Sequence, residues 1–327
     1  MYIDELKFSL WADFIERDFI TTGLRAYIAQ GIVNGATSNP SIFKNAILNS
    51  AAYKEQLSTL RHLSPKQQYE AVAIEDIRSA ADELRGLYDQ GDSGYVSIEV
   101  DPFLCDDATA TIEEAQRLYH AIARPNVMIK IPATSAGYEA MEVLVASGIA
   151  VNATLIFKKE QALACLKAFE RGLEKSAQRV DTVISIFVSR IDRALDEILK
   201  SKGIAPLRAG IYNASQIYDA IERAGVADCR ALFASTGVKG SRPQASYYIE
   251  EMLAYHSVNT APLDAIDAYV KTGMTRPKLP VDAEVVQLFF VSLHEAGIDF
   301  DALLQQQIDD GLDAFKAAFQ EILDALQ

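Results

Sequence analysis

Eight short apolar runs, at 9–13, 32–37, 95–100, 127–131, 149–155, 181–187, 230–235 and 256–260, alternate along the chain with amphipathic segments. Segments such as "TIEEAQRLYHAIA" and "KKEQALACLKAFERGLEK" carry apolar residues at three- and four-residue spacing, the period of a helix with one buried face. Strands separated by helices pair in parallel, and eight of them predict a closed (β/α)8 barrel, the TIM-barrel class of α/β fold. At 327 residues the chain suits one such domain over 1–327. Two connections, 38–94 and 188–229, have room for more than one helix. After the eighth strand, "APLDAIDAYVKTG", "DAEVVQLFFVSLHEAG" and Phe300 to Gln327 read as further helices that pack on the barrel. Asp106 or Asp107 is placed to cap the helix after strand three, and Gly148 to end the helix before strand five.

Successive side chains on a strand point to opposite faces. In "YVSIEV", Val96, Ile98 and Val100 oppose Ser97 and Glu99; in "VMIKI", Ile129 and Ile131 oppose Met128 and Lys130. In "VNATLIF", Val151, Ala153 and Leu155 oppose Asn152 and Thr154. In "VISIF", Ile184 and Ile186 oppose Ser185, and "SLWADF" sets Asp13 against Leu10 and Ala12. A barrel covered by helices is apolar on its outer strand face. The polar set is therefore expected to point inward, near the C-terminal strand ends where barrel enzymes keep their chemistry. Ser97 alone reads as a structural hydrogen-bonding group, and Trp11, inward by parity, reads equally as packing.

Lys130 is the sharpest of these residues. Lysine is almost never fully buried without a partner, because removing the ammonium from water costs several kcal/mol or more. Burial favours the neutral amine, which attacks carbonyls and forms a Schiff base. The iminium is an electron sink that permits cleavage of a neighbouring C–C bond. Such chemistry needs one proton carrier beside the amine and a second acid/base beside the breaking bond; Glu99 and Asp13 fit by type and face. It needs no metal and no cofactor. A Lys–Glu structural ion pair is the plainer reading of two of these residues, but not of an inward Lys, Glu, Asp, Ser, Asn and Thr on five strands.

Composition narrows the partners. A net charge of −14 argues against nucleic acid and anionic membrane, which need a cationic face. It also means that a phosphorylated substrate requires a local basic pocket. The start, "MYIDELKF", has no basic flank followed by an apolar core, so no signal peptide is expected. The uncharged stretch Val143–Phe157 is too short for a membrane span. Cys105, Cys165 and Cys229 are odd in number and widely spaced, which fits a reducing cytoplasm. The four histidines do not cluster at metal-ligand spacing.

Several motifs in order, "GATSNPSIF" (35–43), "VSIEVDP" (96–102), "IKIPATSAG" (129–137), "GIAVNATLIF" (148–157), "SIFVSRID" (185–192) and "FASTGVKG" (233–240), resemble the signatures of the transaldolase family. The resemblance runs from about Leu10 to Thr260. It implies a cofactor-free (β/α)8 enzyme of the pentose phosphate pathway that moves dihydroxyacetone from sedoheptulose 7-phosphate or fructose 6-phosphate to glyceraldehyde 3-phosphate or erythrose 4-phosphate. Carried over by position, it implies that Lys130 is the Schiff-base lysine and Asp13 the acid/base at the hydroxyl of the breaking bond. Glu99 with Thr154 would hold the water that shuttles protons. Asn39, Asn152 and Ser185 would hydrogen-bond the dihydroxyacetone unit, while Arg190 takes the phosphate with Ser235 beside it. The family often pairs two arginines there; here the loop reads "STGVKGSRP", so Lys239 or Arg242 is the candidate second cation, Lys239 being preferred.

Three rivals stand beside this expectation. A fructose-6-phosphate aldolase on the same architecture would release dihydroxyacetone, but that related group is shorter and resembles "VSIEV" with an amide in place of the acid. A keto-acid Schiff-base lyase has no supporting motif. A silent sugar-phosphate binder would not need Lys130, Glu99 and Asp13 together. The sequence leaves monomer or homodimer open.

Overall fold

The computed structural model describes residues 2–238 and 244–327. Eight parallel strands close into a barrel: β1 (Ser9–Ala12), β2 (Gly35–Thr37), β3 (Tyr95–Glu99), β4 (Val127–Pro132), β5 (Val151–Ile156), β6 (Thr182–Phe187), β7 (Cys229–Ala234) and β8 (Ser257–Ala261). Closure comes from β8 pairing with β1, with Ser9 opposite Val258 and Ala12 opposite Ala261. The (β/α)8 expectation holds, and each expected strand coincides with an observed one to within a few residues.

Among the described residues, ten helices reach ten residues or more. These are α1 (Pro40–Asn49), α2 (Pro65–Asp89), α3 (Ala108–Ile122), α4 (Ser135–Ala146), α5 (Lys159–Leu173), α6 (Ser189–Ser201), α7 (Ala209–Ala224), α8 (Leu263–Thr272), α9 (Ala283–Glu295) and α10 (Phe300–Ala325). The long connections hold two each, α1 with α2 and α6 with α7. Local chemistry starts them where they start. Asn39 caps α1 by accepting from the Ile42 amide, with Pro40 following. Ser64 and Gln67 form a reciprocal capping box on α2. Asp107, one of the two candidates, caps α3 through the Ala110 amide at 3.0 Å. Gly148 follows α4 at φ 80°, a left-handed turn that costs glycine nothing.

The strand parity sorts as expected with one exception. Val96, Ile98, Ile129, Ile131, Val151, Ala153, Ile184 and Ile186 belong to the core between barrel and helices. Trp11, Tyr95, Met128, Val183, Leu232 and Val258 fill the barrel interior. The exception is Leu155, expected to lie outward with Ala153. It packs with the interior set while Ile156 joins the outer one. The cause is a bulge: the β5–β6 register shifts between Ala153 and Ile156, and Leu155 sits at φ 60°. One extra residue reverses the alternation beyond it. Trp11 packs closely against β2: it is 1 % exposed, and a β-carbon on Gly35 would stand 2.5 Å from its ring.

The helices after β8 lie on the barrel. α10 crosses the C-terminal mouth, packing on α1, α2, α6 and β5 and sending Phe315 into the cavity described next. Among the described residues, no helix is long and apolar enough to cross a membrane.

Candidate active site

Register assembles the centre. Glu99 on β3 pairs with Lys130 on β4, which pairs with Asn152 on β5, so three inward side chains stand level across adjacent strands. Lys130 is 6 % exposed and donates from Nζ to the Ser38 carbonyl at 3.0 Å. Its Nζ lies 3.8 Å from Glu99 Oε2. Both Glu99 carboxylate oxygens are buried without a hydrogen bond in the protein, and so is Thr154 Oγ1. Burial pushes the Glu99 carboxyl up to about 7; Lys130 opposes that rise and Asp13 adds to it. Buried oxygens left unpaired are rare enough to ask for a function.

Asp13 stands at the end of β1 and accepts from Thr37 Oγ1 at 2.7 Å. Thr37 in turn meets Thr260 Oγ1 at 2.6 Å, a link between β2 and β8. Burial raises the Asp13 carboxyl, while Lys130 and the Thr37 hydroxyl pull it back. Two carboxyls thus flank one lysine, both biased toward holding a proton.

Lys130, Thr154, Asp13, Thr37 and Thr260 line a cavity of about 260 Å³ at the C-terminal mouth, with Asn39, Ser185, Arg190 and Ser235 around it. Asn39 spends its side-chain oxygen on the α1 cap, leaving its amide NH₂ to a ligand. Ser185 Oγ donates to Asn152 Oδ1 at 2.6 Å, and Asn152 Nδ2 donates to Ser97 Oγ at 3.1 Å. Asn152 is wholly buried and, like Glu99, does not line the cavity; it stands behind Ser185. Ser97 has the structural part expected of it. Arg190, in the first turn of α6, lies with its guanidinium 5.5 Å from the Phe187 ring and makes no hydrogen bond or ion pair to the protein among the described residues. Burial, then neighbouring Arg193, lowers its pKa, with Asp310 opposing. Ser235, at φ 53°, meets Ser189 Oγ at 3.1 Å. Lys239 and Arg242 lie outside the described residues.

Sequence reading missed several lining residues. Arg193, which donates to Ser189 Oγ at 2.8 Å, is three residues past Arg190 on α6, and helix spacing places both on one side. Thr37 and Thr260 have inward parity and were readable from it. Phe315 was not, because nothing local tells where a distant helix folds back. A sugar phosphate fits this arrangement: the Lys130 amine and Asp13 carboxyl at the floor with Glu99 behind them, hydroxyls and an amide on the wall, guanidinium groups at the rim.

A sequence profile described as Transaldolase/Fructose-6-phosphate aldolase matches residues 10–326. The chain belongs to this family. A protein named transaldolase from Campylobacter jejuni subsp. jejuni is 45 % identical, over 98 % of this chain and 99 % of its own. Another of that name from Campylobacter jejuni subsp. doylei is 44 % identical over the same shares. One from Helicobacter pylori is 40 % identical over 97 % of this chain and 98 % of its own. The chain is an enzyme, and the transferase reading is favoured over the aldolase one.

Proposed function

We propose that this family member transfers dihydroxyacetone from sedoheptulose 7-phosphate or fructose 6-phosphate to glyceraldehyde 3-phosphate or erythrose 4-phosphate, in the non-oxidative pentose phosphate pathway. The observation that carries it is Lys130: a buried amine facing the unbonded Glu99 carboxyl at the floor of a cavity rimmed by arginine.

Lys130 Nζ attacks the donor's C2 carbonyl, and the resulting carbinolamine loses water to give the iminium. Glu99 and Thr154 hold the water through which those protons move. Asp13 takes the proton of the C4 hydroxyl as the C3–C4 bond breaks, and the bond's electrons enter the iminium to leave an enamine. The first aldehyde departs, the acceptor enters, and the steps reverse with Asp13 giving its proton back. Asn39 and Ser185, with Asn152 behind, hold the three-carbon unit meanwhile. Arg190 binds the phosphate with Ser235 beside it, at a helix start that itself favours anions. Arg193 adds a second positive charge at the rim, which offsets an acidic surface. Lys239 keeps its candidacy as a further phosphate partner. We read the chain as one catalytic unit over 1–327, cytoplasmic, with sugar phosphates as its partners and no nucleic acid or membrane.

A coupled assay with fructose 6-phosphate and erythrose 4-phosphate tests this. Sedoheptulose 7-phosphate and glyceraldehyde 3-phosphate are the expected products. Free dihydroxyacetone as the main product would assign the chain to the aldolases, and no turnover would sink both readings.

Two predictions attach here. Glu99 must be a carboxylate to accept a proton from water, and that form is lost as pH falls through about 7. The groups facing it are Lys130, Asp13 and, from α2, Tyr69, whose own pKa is raised by burial and then by Glu99. A pH–rate profile of kcat/KM should therefore climb through about 7. The same profile measured on Glu99→Gln should be flat there, and an unchanged limb would assign the ionisation elsewhere. Arg190→Ala removes a forked partner of the phosphate, worth roughly 2–5 kcal/mol if desolvated. We expect kcat/KM to fall accordingly for phosphorylated donors and little for unphosphorylated ketoses. Equal loss on both would make Arg190 a structural residue.

A further inference from the structure

A second concavity, about 660 Å³, opens at the opposite, N-terminal end of the barrel. Inward side chains from five strands build it: Trp11 of β1, Tyr95 of β3, Met128 of β4, Val183 of β6 and Arg230 of β7. Tyr88, at the end of α2, stands edge-on to Tyr95 with ring centroids 5.2 Å apart. Its size is that of a small-molecule site; Trp11, Tyr88, Tyr95 and Met128 form an aromatic and apolar floor inside a rim that carries charges of both signs.

Arg230 is the group the fold leaves unbalanced. Its neighbours Cys229 and Ala231 belong to the outer core, so the guanidinium points into the barrel. One end is spent: Nη2 donates to Lys7 O at 2.9 Å, Ser9 Oγ at 2.9 Å and Ser257 O at 2.6 Å. Nε is buried without a hydrogen-bond partner, and Nη1 makes no hydrogen bond to the described residues. No carboxylate pairs with it among those residues. The acids at this rim are committed elsewhere. Arg179 takes Asp181 at 3.1 Å and Asp228 at 3.0 Å, Tyr95 donates to Asp181 at 2.6 Å, and Arg85 takes Asp89 at 2.7 Å. Burial accordingly pushes the guanidinium down to about 10, with the charges of Asp181, Asp92 and Glu222 opposing. Arg230 is half-buried with its Nε wholly covered, and a guanidinium so placed without a counter-ion loses hydration that an anionic ligand would offset.

The rim backbone adds an independent sign. Lys7, Ser93, Asp228 and His256 all line this cavity, and all adopt left-handed φ between 49° and 56°. Strained non-glycine residues gather at ligand sites, because only a built surface holds them there.

We propose that this mouth is a binding site for a small aromatic monocarboxylate, its carboxylate on Arg230 and its ring against Trp11, Tyr88 and Tyr95. A monoanion suits it better than a dianion, since Asp89, Asp181 and Asp228 stand on the same rim. The ring follows from the aromatic floor. The site is separate from the Lys130 cavity, and packed interior residues including Leu232 and Val258 lie between them.

Trp11 is the lone tryptophan, so its fluorescence reports on this cavity without a label. Benzoate is the probe, with benzylamine, acetate and inorganic phosphate beside it. Benzoate should change the emission saturably; the other three should not. Arg230→Gln should weaken the response roughly tenfold or more, and Tyr88→Ala should weaken it too while leaving the Arg230 contacts intact. Should Arg230→Gln fail to fold, Tyr88→Ala alone decides. Arg190→Ala should respond as the parent does. The proposal is overturned by no saturable change up to the solubility of benzoate, by an equal response to benzylamine, or by an undiminished response in Tyr88→Ala. Loss of the response in Arg190→Ala would place benzoate in the sugar-phosphate cavity and overturn it as well.

Discussion

Lys130→Met is expected to reduce dihydroxyacetone transfer by on the order of 10⁴-fold or more, as removal of a covalent nucleophile does elsewhere. Methionine keeps the length and apolar stem of the side chain, so the barrel wall is preserved and the loss reads as chemistry. The change also acts on Glu99. Lys130 is what restrains the rise of that carboxyl, so without it Glu99 should titrate above about 7 and remain protonated at neutral pH. Infrared difference spectra of the protonated carboxyl, followed with pH, should show the shift in Lys130→Met. Substantial transfer by that variant, folded and free of wild-type enzyme, would mean that the carbonyl is activated by another group.

Glu99→Gln is the second large effect. The side chain keeps its shape and loses its charge and its capacity to accept a proton. Neither of its oxygens is bonded within the protein, so no structural hydrogen bond is broken by the exchange. General acid–base groups contribute on the order of 10²–10⁴-fold, and transfer should fall within that range. A transferase must also keep its imine from hydrolysing until the acceptor arrives. Glu99 and Thr154 are unpaired buried oxygens beside Lys130, and in the proposed mechanism they hold the water that reaches the imine. An altered path should raise the ratio of free dihydroxyacetone to transferred product. Both products measured in one reaction give the test, and wild-type transfer would return Glu99 to a structural role.

Much of this was legible in the sequence, for a physical reason. Helices on the outside of a barrel demand an apolar outer face, so parity alone turned Glu99, Lys130, Asp13, Thr154 and Ser185 inward. The limits have equally physical causes. Leu155 reversed its face because one bulged residue resets the alternation, and periodicity does not announce a bulge. Asn152 has the right parity, but whether an inward amide meets a ligand or another side chain depends on depth. Here Ser185 takes its oxygen and Ser97 one of its two amide hydrogens, which leaves the second for a ligand. Arg193 lies beyond the strand-end motif that carries Arg190, and helix spacing is what pairs the two. Phe315 reaches the mouth from the last helix, and that is tertiary information. A lone cation at a strand start, such as Arg230, reads as solvated from sequence, and only the fold shows its Nε covered.

The central claim is that the reacting amine belongs to Lys130. Enzyme incubated with fructose 6-phosphate and reduced with borohydride should lose activity, and peptide mapping should find a reduced three-carbon dihydroxyacetone adduct on Lys130, absent from Lys130→Met. An adduct confined to another lysine, or full activity after reduction in the presence of the sugar, would contradict the account.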